Sequence, residues 1–139
     1  MKNKTLILVL SLFIITTYSC KDKSEETTQM KAVLAIHDEV MPKMGALGTL
    51  MGKLDQKIEA GTNIDDLIAA REDLKSAHKA MMDWMKGFGD RFDSDEIMKG
   101  KALTEEKQKW LDEEETKVRA LREHINSSIE KAENLLKEN

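Results

Sequence analysis

Apolar residues recur every three and four positions along most of the chain, which is the spacing of one packed face of an α-helix. The first such stretch covers about residues 27–59. With Met30 taken as heptad position a, the a positions hold Met30, His37, Met44, Met51 and Ile58. The d positions are all aliphatic: Val33, Val40, Leu47 and Leu54. This pattern predicts one long helix with a packed seam.

A second stretch with the same spacing covers about residues 64–86. Its d positions are Leu67, Leu74, Met81 and Phe88. Gly61 stands where a glycine commonly follows the end of a helix, and it separates the first helix from the second. Gly87 and Gly89 are expected to end the second helix, because glycine weakens a helix interior.

A third helix is predicted from the capping residue Thr104 to about residue 137. Glu114 interrupts one of its apolar rows and is expected to face solvent. The three helices predict an all-α fold, an antiparallel three-helix bundle over residues 30–139. The third helix, at about 50 Å, is longer than the second. Part of it is therefore expected to protrude or to contact a partner, including a second copy of the chain.

The first twenty residues have the layout of a secretory signal. Lys2 and Lys4 precede twelve apolar or small residues, and Cys20 closes the run after Ser19. This layout resembles the lipobox of bacterial lipoproteins, in which the cysteine is acylated and becomes the first mature residue. The resemblance implies a signal peptide over residues 1–19 and a lipid anchor on Cys20. The alternative is a signal peptide without lipid and with an incidental cysteine.

Residues 20–29 are predicted to form the lipidated cysteine and a polar, solvated tether, since they are charged and lack apolar periodicity. In lipoprotein sorting, Lys21 resembles the residues that release a protein to the outer membrane. The membrane is therefore the expected partner, and the expected location is the outer membrane. Its periplasmic face and the cell surface both stay open.

Composition narrows the classes of function. A single cysteine excludes an internal disulfide framework and a cysteine-based zinc cluster. A formal net charge of −4 argues against nucleic acid as a partner. Phosphate loops, nucleophile elbows and HExxH motifs are absent from the sequence, so no catalytic residue is assigned and a non-enzymatic protein is expected.

One group of residues suggests chemistry beyond packing. If the first two helices fold back near residue 61, residues whose numbers add up to about 122 face each other. Two histidines and several methionines then meet at one level of the bundle: His37, Met41, Met44, His78, Met81 and Met85. Imidazole and thioether ligands together suit Cu(I). Pro42 lies at the same level and predicts a kink.

Three interpretations of this group stay open. In the first interpretation the group is purely structural and needs no cofactor, because methionine commonly fills irregular cores. In the second, it binds copper. In the third, it holds haem without a covalent bond, since the sequence lacks the CxxCH motif of covalent attachment.

Three further features of the sequence each predict a local property: a group of glycines, an acidic run and the third histidine. Gly45, Gly48 and Gly52 fall in one broad sector of the first helix and predict close approach of another helix or of an aromatic ring. The acidic run at residues 90–96 lacks the spacing of an EF-hand and predicts a solvated loop. His124 falls beside the seam of the third helix, where a surface role is expected.

The segments HDEVMPKM (37–44) and AHKAMMDWMKGFGDRFDSDEIM (77–98) resemble a group of small helical lipoproteins of Gram-negative bacteria. Such sequences are sometimes labelled "viral A-type inclusion protein". The resemblance implies a lipoprotein with a helical fold, and it implies no ligand or activity. The leading expectation is thus a lipid-anchored, non-enzymatic module with a structural or interaction role. The alternative is a lipoprotein that handles copper between its first two helices.

Overall fold

The computed structural model describes residues 23–61 and 64–137. This part of the chain is helical and contains no strand, which confirms the predicted all-α bundle. The elements are α1 (Lys23–Val40), a 3-10 turn (Met41–Lys43), α2 (Met44–Ala60), α3 (Ile64–Arg91), α4 (Ser94–Lys99) and α5 (Glu105–Lys137). The predicted signal peptide and Cys20 lie outside the described residues. Among the helices described, none is both long and apolar enough to cross a membrane.

Helices α1 and α2 correspond to the single first helix of the prediction. Pro42 has no N–H to donate, and the chain passes through it as one 3-10 turn, in which Met44 N–H donates to the carbonyl of Met41. The kink predicted at this proline is therefore a local tightening of the helix. We call α1, the turn and α2 together the N-terminal rod.

The chain reverses direction after the rod. Gly61 has a φ of 87°, a left-handed conformation that glycine adopts without strain, and α3 then runs antiparallel to the rod. Helix α5 reverses again and runs parallel to the rod. Gln29 binds Asp112 and Lys43 binds Asn126, so that partner numbers increase together along the two helices. The topology is the predicted up-down-up order.

The core lies along the predicted d positions. Those of the rod, Val33, Val40, Leu47 and Leu54, are all fully buried. On α3, Leu67, Leu74 and Met81 are fully buried and Phe88 nearly so. Helix α5 contributes Leu111, Val118, Ile125 and Ala132. The heptad pattern thus identified the d positions of the core. The core also buries a row of residues outside the predicted a and d positions: Ile36, Leu50, Ala70, Ala77 and Trp84.

Helix α5 is covered by this chain along most of its length, contrary to the expectation that part of it protrudes. It contacts α1, α2 and α3. Gln29 binds near its start, and Lys57 donates to the carbonyl of Leu136 near its end. The reason is that α1 begins at Lys23, inside the segment predicted as a tether, so the rod is long enough to match α5.

Helix α3 continues past the two glycines that were expected to end it. It passes through Gly87 and Gly89 and ends at Arg91. Phe88 and Phe92 are 5% and 3% exposed, and both belong to the core. Burial of two aromatic side chains outweighs the cost of about 1 kcal/mol that each helical glycine carries.

The segment between α3 and α5 begins in the acidic run at residues 90–96, which was wrongly expected to be a solvated loop. It contains α4, whose capping residue Asp93 accepts hydrogen bonds from the N–H groups of Asp95 and Glu96. Glu96 in turn accepts from Asp93 N–H at 2.8 Å and is buried, with Lys107 Nζ at 2.6 Å. The hydrogen bond from Lys101, together with the N–H of Glu96, lowers the pKa of Asp93 to about 2.

Glu114 was expected to face solvent, and this prediction was wrong. Its side chain is 3% exposed and lies on the packed face of α5. Arg91 Nη1 lies 2.9 Å from its Oε1, and Lys117 Nζ lies 2.8 Å from the same oxygen. A buried carboxylate is tolerated where cations compensate its charge, and here one of them comes from α3.

The three glycines of α2 do not admit a neighbouring helix or ring, so the expected close packing was wrong. Gly45, Gly48 and Gly52 are exposed, and a Cβ added to any of them would have no atom from another part of the structure within 4 Å. The packed side of α2 is instead formed by its leucines.

Candidate functional site

The predicted histidine and methionine group lies along the edge between the rod and α3. Most of its members are half-buried, because the a positions border the core and the d positions fill it. These half-buried members are His37, Met41, Met44, His78 and Met85. Met81 is the exception and is fully buried. The group is thus partly accessible from solvent while resting on the core.

One direct contact in this group joins His37 and Met85. Nε2 of His37 lies 3.3 Å from Sδ of Met85. The two residue numbers add up to 122, so the register predicted for a fold-back near residue 61 is confirmed at this contact. An imidazole nitrogen and a thioether sulfur are therefore in direct contact at the edge of the bundle.

The other ring nitrogen of His37 faces a carboxylate. Nδ1 lies 3.0 Å from Oδ1 of Asp38, and the His37 side chain is 23% exposed. Because a carboxylate only accepts hydrogen bonds, Nδ1 is the donor in this contact. An imidazole bound in this way to a carboxylate is oriented with its Nε2 toward Met85.

An aromatic row begins beside His37 and was missed by the sequence analysis. The ring centroids are 5.9 Å apart between His37 and Trp84, 5.0 Å between Trp84 and Phe88, and 4.8 Å between Phe88 and Phe92. The spacing of four residues was visible in the sequence. Phe88 was predicted as a d position, but the helix end expected at Gly87 and Gly89 left Phe92 without a predicted register. The indole Nε1 of Trp84 is buried and has no hydrogen-bond partner among the described residues.

The six predicted residues do not share one level. His78 precedes Met85 by seven residues of one continuous α-helix, which is about 10.5 Å along the axis. In the register fixed by His37 and Met85, Met41 pairs with Met81 one turn along the bundle. Met44 pairs with His78 about one turn further. The structure thus distributes the group over successive layers, and His37 and His78 belong to different ones.

Among the described residues, no group of three or more His, Cys, Asp or Glu side chains could hold a metal ion. Any metal site at this edge therefore depends on thioether sulfur. Thioethers favour soft ions such as Cu(I) over ions that prefer oxygen ligands.

A second polar cluster joins α3 to α5 and was not anticipated. Asp73 Oδ1 lies 3.0 Å from His124 Nε2, and Ser128 Oγ donates to Asp73 Oδ2 at 2.8 Å. Burial raises the pKa of Asp73, but the hydrogen bonds from His124 and Ser128 outweigh it, so that the pKa lies below its usual value. His124 is half-buried and cross-links two helices, so it is not merely a surface residue.

These three residue types also form the triad of serine hydrolases, but the arrangement differs. In a triad the serine hydroxyl bonds the imidazole, which takes its proton. Here Ser128 and His124 both bond the carboxylate of Asp73. The hydroxyl is therefore held as a donor to an acid and is not activated as a nucleophile. The cluster is a helix-to-helix cross-link.

An open groove of about 600 Å³ lies between α2 and the end of α5. Leu50, Ala60 and Leu136 supply apolar surface, and Lys53 and Lys137 add positive charge. The groove lies at the end of the bundle near Gly61, far from the start of α1.

Comparison of the chain with protein-family models, with curated proteins and with solved structures finds no match. The resemblance to small helical lipoproteins therefore stays a prediction from the sequence.

Proposed function

We propose that this protein is a lipid-anchored, non-enzymatic helical module of the bacterial cell envelope. In this proposal, Cys20 carries the lipid at the outer membrane, and the bundle has a structural or interaction role. The observation that carries the proposal is the position of the only cysteine, which closes an apolar run after a basic start. Acyl chains contribute about 0.8 kcal/mol per buried methylene, so two or three chains hold a protein durably at a membrane.

The start of α1 determines which end of the bundle would lie at the membrane in this proposal. The helix begins at Lys23, three positions after Cys20, so an anchor on this cysteine is joined to the bundle by a very short segment. The same end of the bundle holds α4 and the start of α5. Since α5 has 33 residues, the opposite end lies about 50 Å away. An anchored bundle would therefore present its sides and its far end, including the groove near Gly61, to partners.

The geometry of the Asp73 cluster supports the non-enzymatic part of the proposal. Ser128 donates to the carboxylate and not to His124, so the residues that most resemble a catalytic set lack an activated nucleophile. Their burial and their position between two helices fit a stabilising cross-link.

Metabolic labelling with a fatty-acid probe tests the anchor. The full-length chain is expected to incorporate the probe and to fractionate with outer membranes, and Cys20→Ser is expected to lose both properties. Ser19→Ala is the matched control, because it keeps a small residue before the cysteine and leaves the thiol intact. Equal labelling of the wild-type chain and Cys20→Ser would refute the proposal.

A further inference from the structure

The contact between His37 and Met85 brings together two atoms that can each offer a lone pair. Nδ1 of His37 donates its proton to Asp38 at 3.0 Å. In a neutral imidazole, Nε2 then carries a lone pair and no hydrogen. This lone pair faces the sulfur of Met85 at 3.3 Å, and a thioether sulfur also has only lone pairs to offer. Either a proton on Nε2, donated to the sulfur, or a metal ion bound to both atoms satisfies this contact.

The separation of the two atoms fits a shared metal ion. Ligand bonds of about 2.0 Å to nitrogen and about 2.3 Å to sulfur are typical of a small d10 ion. Two such bonds at the tetrahedral angle place their donor atoms about 3.5 Å apart. The observed distance between Nε2 and Sδ is 3.3 Å. The two atoms therefore lie within about 0.2 Å of the spacing of two ligands on one ion.

The chemistry of the two donors selects the ion. Imidazole and thioether are ligands of intermediate and soft character, and the combination favours Cu(I) over ions that prefer oxygen. A histidine that binds a metal usually donates its other N–H to a carboxylate or carbonyl, which fixes the tautomer. Asp38 occupies that position relative to His37.

Further thioethers lie one turn away. Met41 follows His37 by four residues, and Met81 precedes Met85 by four. Both side chains pack on the core, so the fold already holds these two thioethers in place. His78 lies two turns from Met85, which places it outside this layer.

We propose that His37 and Met85 bind one Cu(I) ion at the edge between the rod and α3, with Asp38 orienting the imidazole. Met41 and Met81 are the neighbouring thioethers, and His78 takes no part. The proposal goes beyond the lipid-anchored module and does not depend on it, because none of these residues is involved in anchoring. It assigns to the protein a capacity to hold monovalent copper.

The test is a titration of the full-length chain with Cu(I) under nitrogen, against a competing chelator. Every chain carries Cys20→Ser, because a free thiolate is itself a strong ligand for Cu(I) and would mask the site. One ion per chain is expected. His37→Gln and Met85→Leu are each expected to weaken binding at least tenfold, and Met85→Leu conserves the packing volume. His78→Gln is the matched control and is expected to bind like the parent chain.

Two results would overturn the proposal. The first is the same affinity in the parent chain, His37→Gln and Met85→Leu, which includes the absence of binding in all three. The second is a loss in His78→Gln as large as the loss in His37→Gln. Because every titrated chain carries Cys20→Ser, the titration does not depend on a lipid anchor. Its failure is therefore distinct from a failure of the anchor proposal, which the labelling experiment tests.

Two measurements on the parent chain keep the proposal testable if a variant does not fold. X-ray absorption of the bound copper is expected to show nitrogen and sulfur neighbours, and a spectrum without sulfur would overturn the assignment. The ring of Trp84 lies 5.9 Å from the ring of His37, so its fluorescence is expected to change on binding. Trp84→Phe should remove this change while Trp110 remains, and a change that persists would place the ion elsewhere.

Discussion

The buried carboxylate of Glu114 gives the sharpest prediction about stability. We expect Arg91→Met and Glu114→Leu to have different effects, although each removes one side of the same ion pair. Arg91→Met keeps an apolar stem of similar length but leaves Glu114, which is 3% exposed, with Lys117 as its remaining cation. Glu114→Leu removes the buried charge itself. Its former partners are 30% and 51% exposed, so both of them still reach water.

The magnitudes follow from these exposures. A hydrogen bond to a charged group contributes about 1.5–3 kcal/mol, so Arg91→Met is expected to lower the free energy of unfolding by about 2 kcal/mol. Replacing a buried ion pair by an apolar residue is often neutral or stabilising. Glu114→Leu is therefore expected to change the free energy of unfolding by less than about 1 kcal/mol in either direction.

The double variant separates the ion pair from the other contacts of Arg91. This side chain also pairs with the exposed Glu113 and lies over the ring of Trp110, at 5.5 Å from its centroid. These contacts survive in Glu114→Leu and contribute roughly 0.5–1 kcal/mol. Arg91→Met is therefore expected to cost at most about half as much in the Glu114→Leu background as in the wild-type chain.

Urea unfolding followed by circular dichroism at equilibrium measures all four chains, with the midpoint and slope fitted separately. The reasoning would be refuted if Arg91→Met cost the same in both backgrounds. It would also be refuted if Glu114→Leu lowered the free energy of unfolding by more than about 2 kcal/mol, since the carboxylate would then be a net source of stability.

Three further predictions concern helix propensity, the core and pH. Gly48→Ala is expected to raise the free energy of unfolding by about 0.5–1 kcal/mol, because a Cβ there meets nothing within 4 Å. Gly100→Ala is expected to lower it by about 1–2 kcal/mol, because φ is +64° at that position; opposite signs in urea unfolding check this pair. Leu54→Ala is expected to cost about 3 kcal/mol, because Leu54 is fully buried, while the exposed Met98→Ala should stay within about 0.5 kcal/mol in the same assay. Asp93→Ala is expected to lower the melting temperature at pH 7. Because the pKa of Asp93 falls from 3.8 to about 2 in the folded protein, the stabilisation is present above about pH 4 and is lost as the pH falls toward 2. The melting temperatures of the two chains are therefore expected to differ at pH 7 and to approach each other toward pH 2. A difference of the same size at both pH values would contradict this role of the Asp93 carboxylate.

The candidate site was predictable in its register and less so in its extent. The sum of residue numbers correctly placed His37 opposite Met85, because two antiparallel helices joined by a short turn have only one free parameter, the position of the turn. The same reasoning placed His78 at the same level. Seven residues of helix are about 10.5 Å, so a group that shares one face can still be spread over several layers.

The sequence by itself determined which residues lie on the packed face of each long helix. Periodicity suffices for this, because a side chain's direction around a helix depends only on its position in the chain. The tertiary structure alone decided whether a polar residue on that face is buried. Glu114 is buried because Arg91, on another helix, compensates its charge. Helix α3 continues through Gly87 because Phe88 and Phe92 are buried in the core. Partners from distant parts of the chain set these energies, and local spacing carries no information about them.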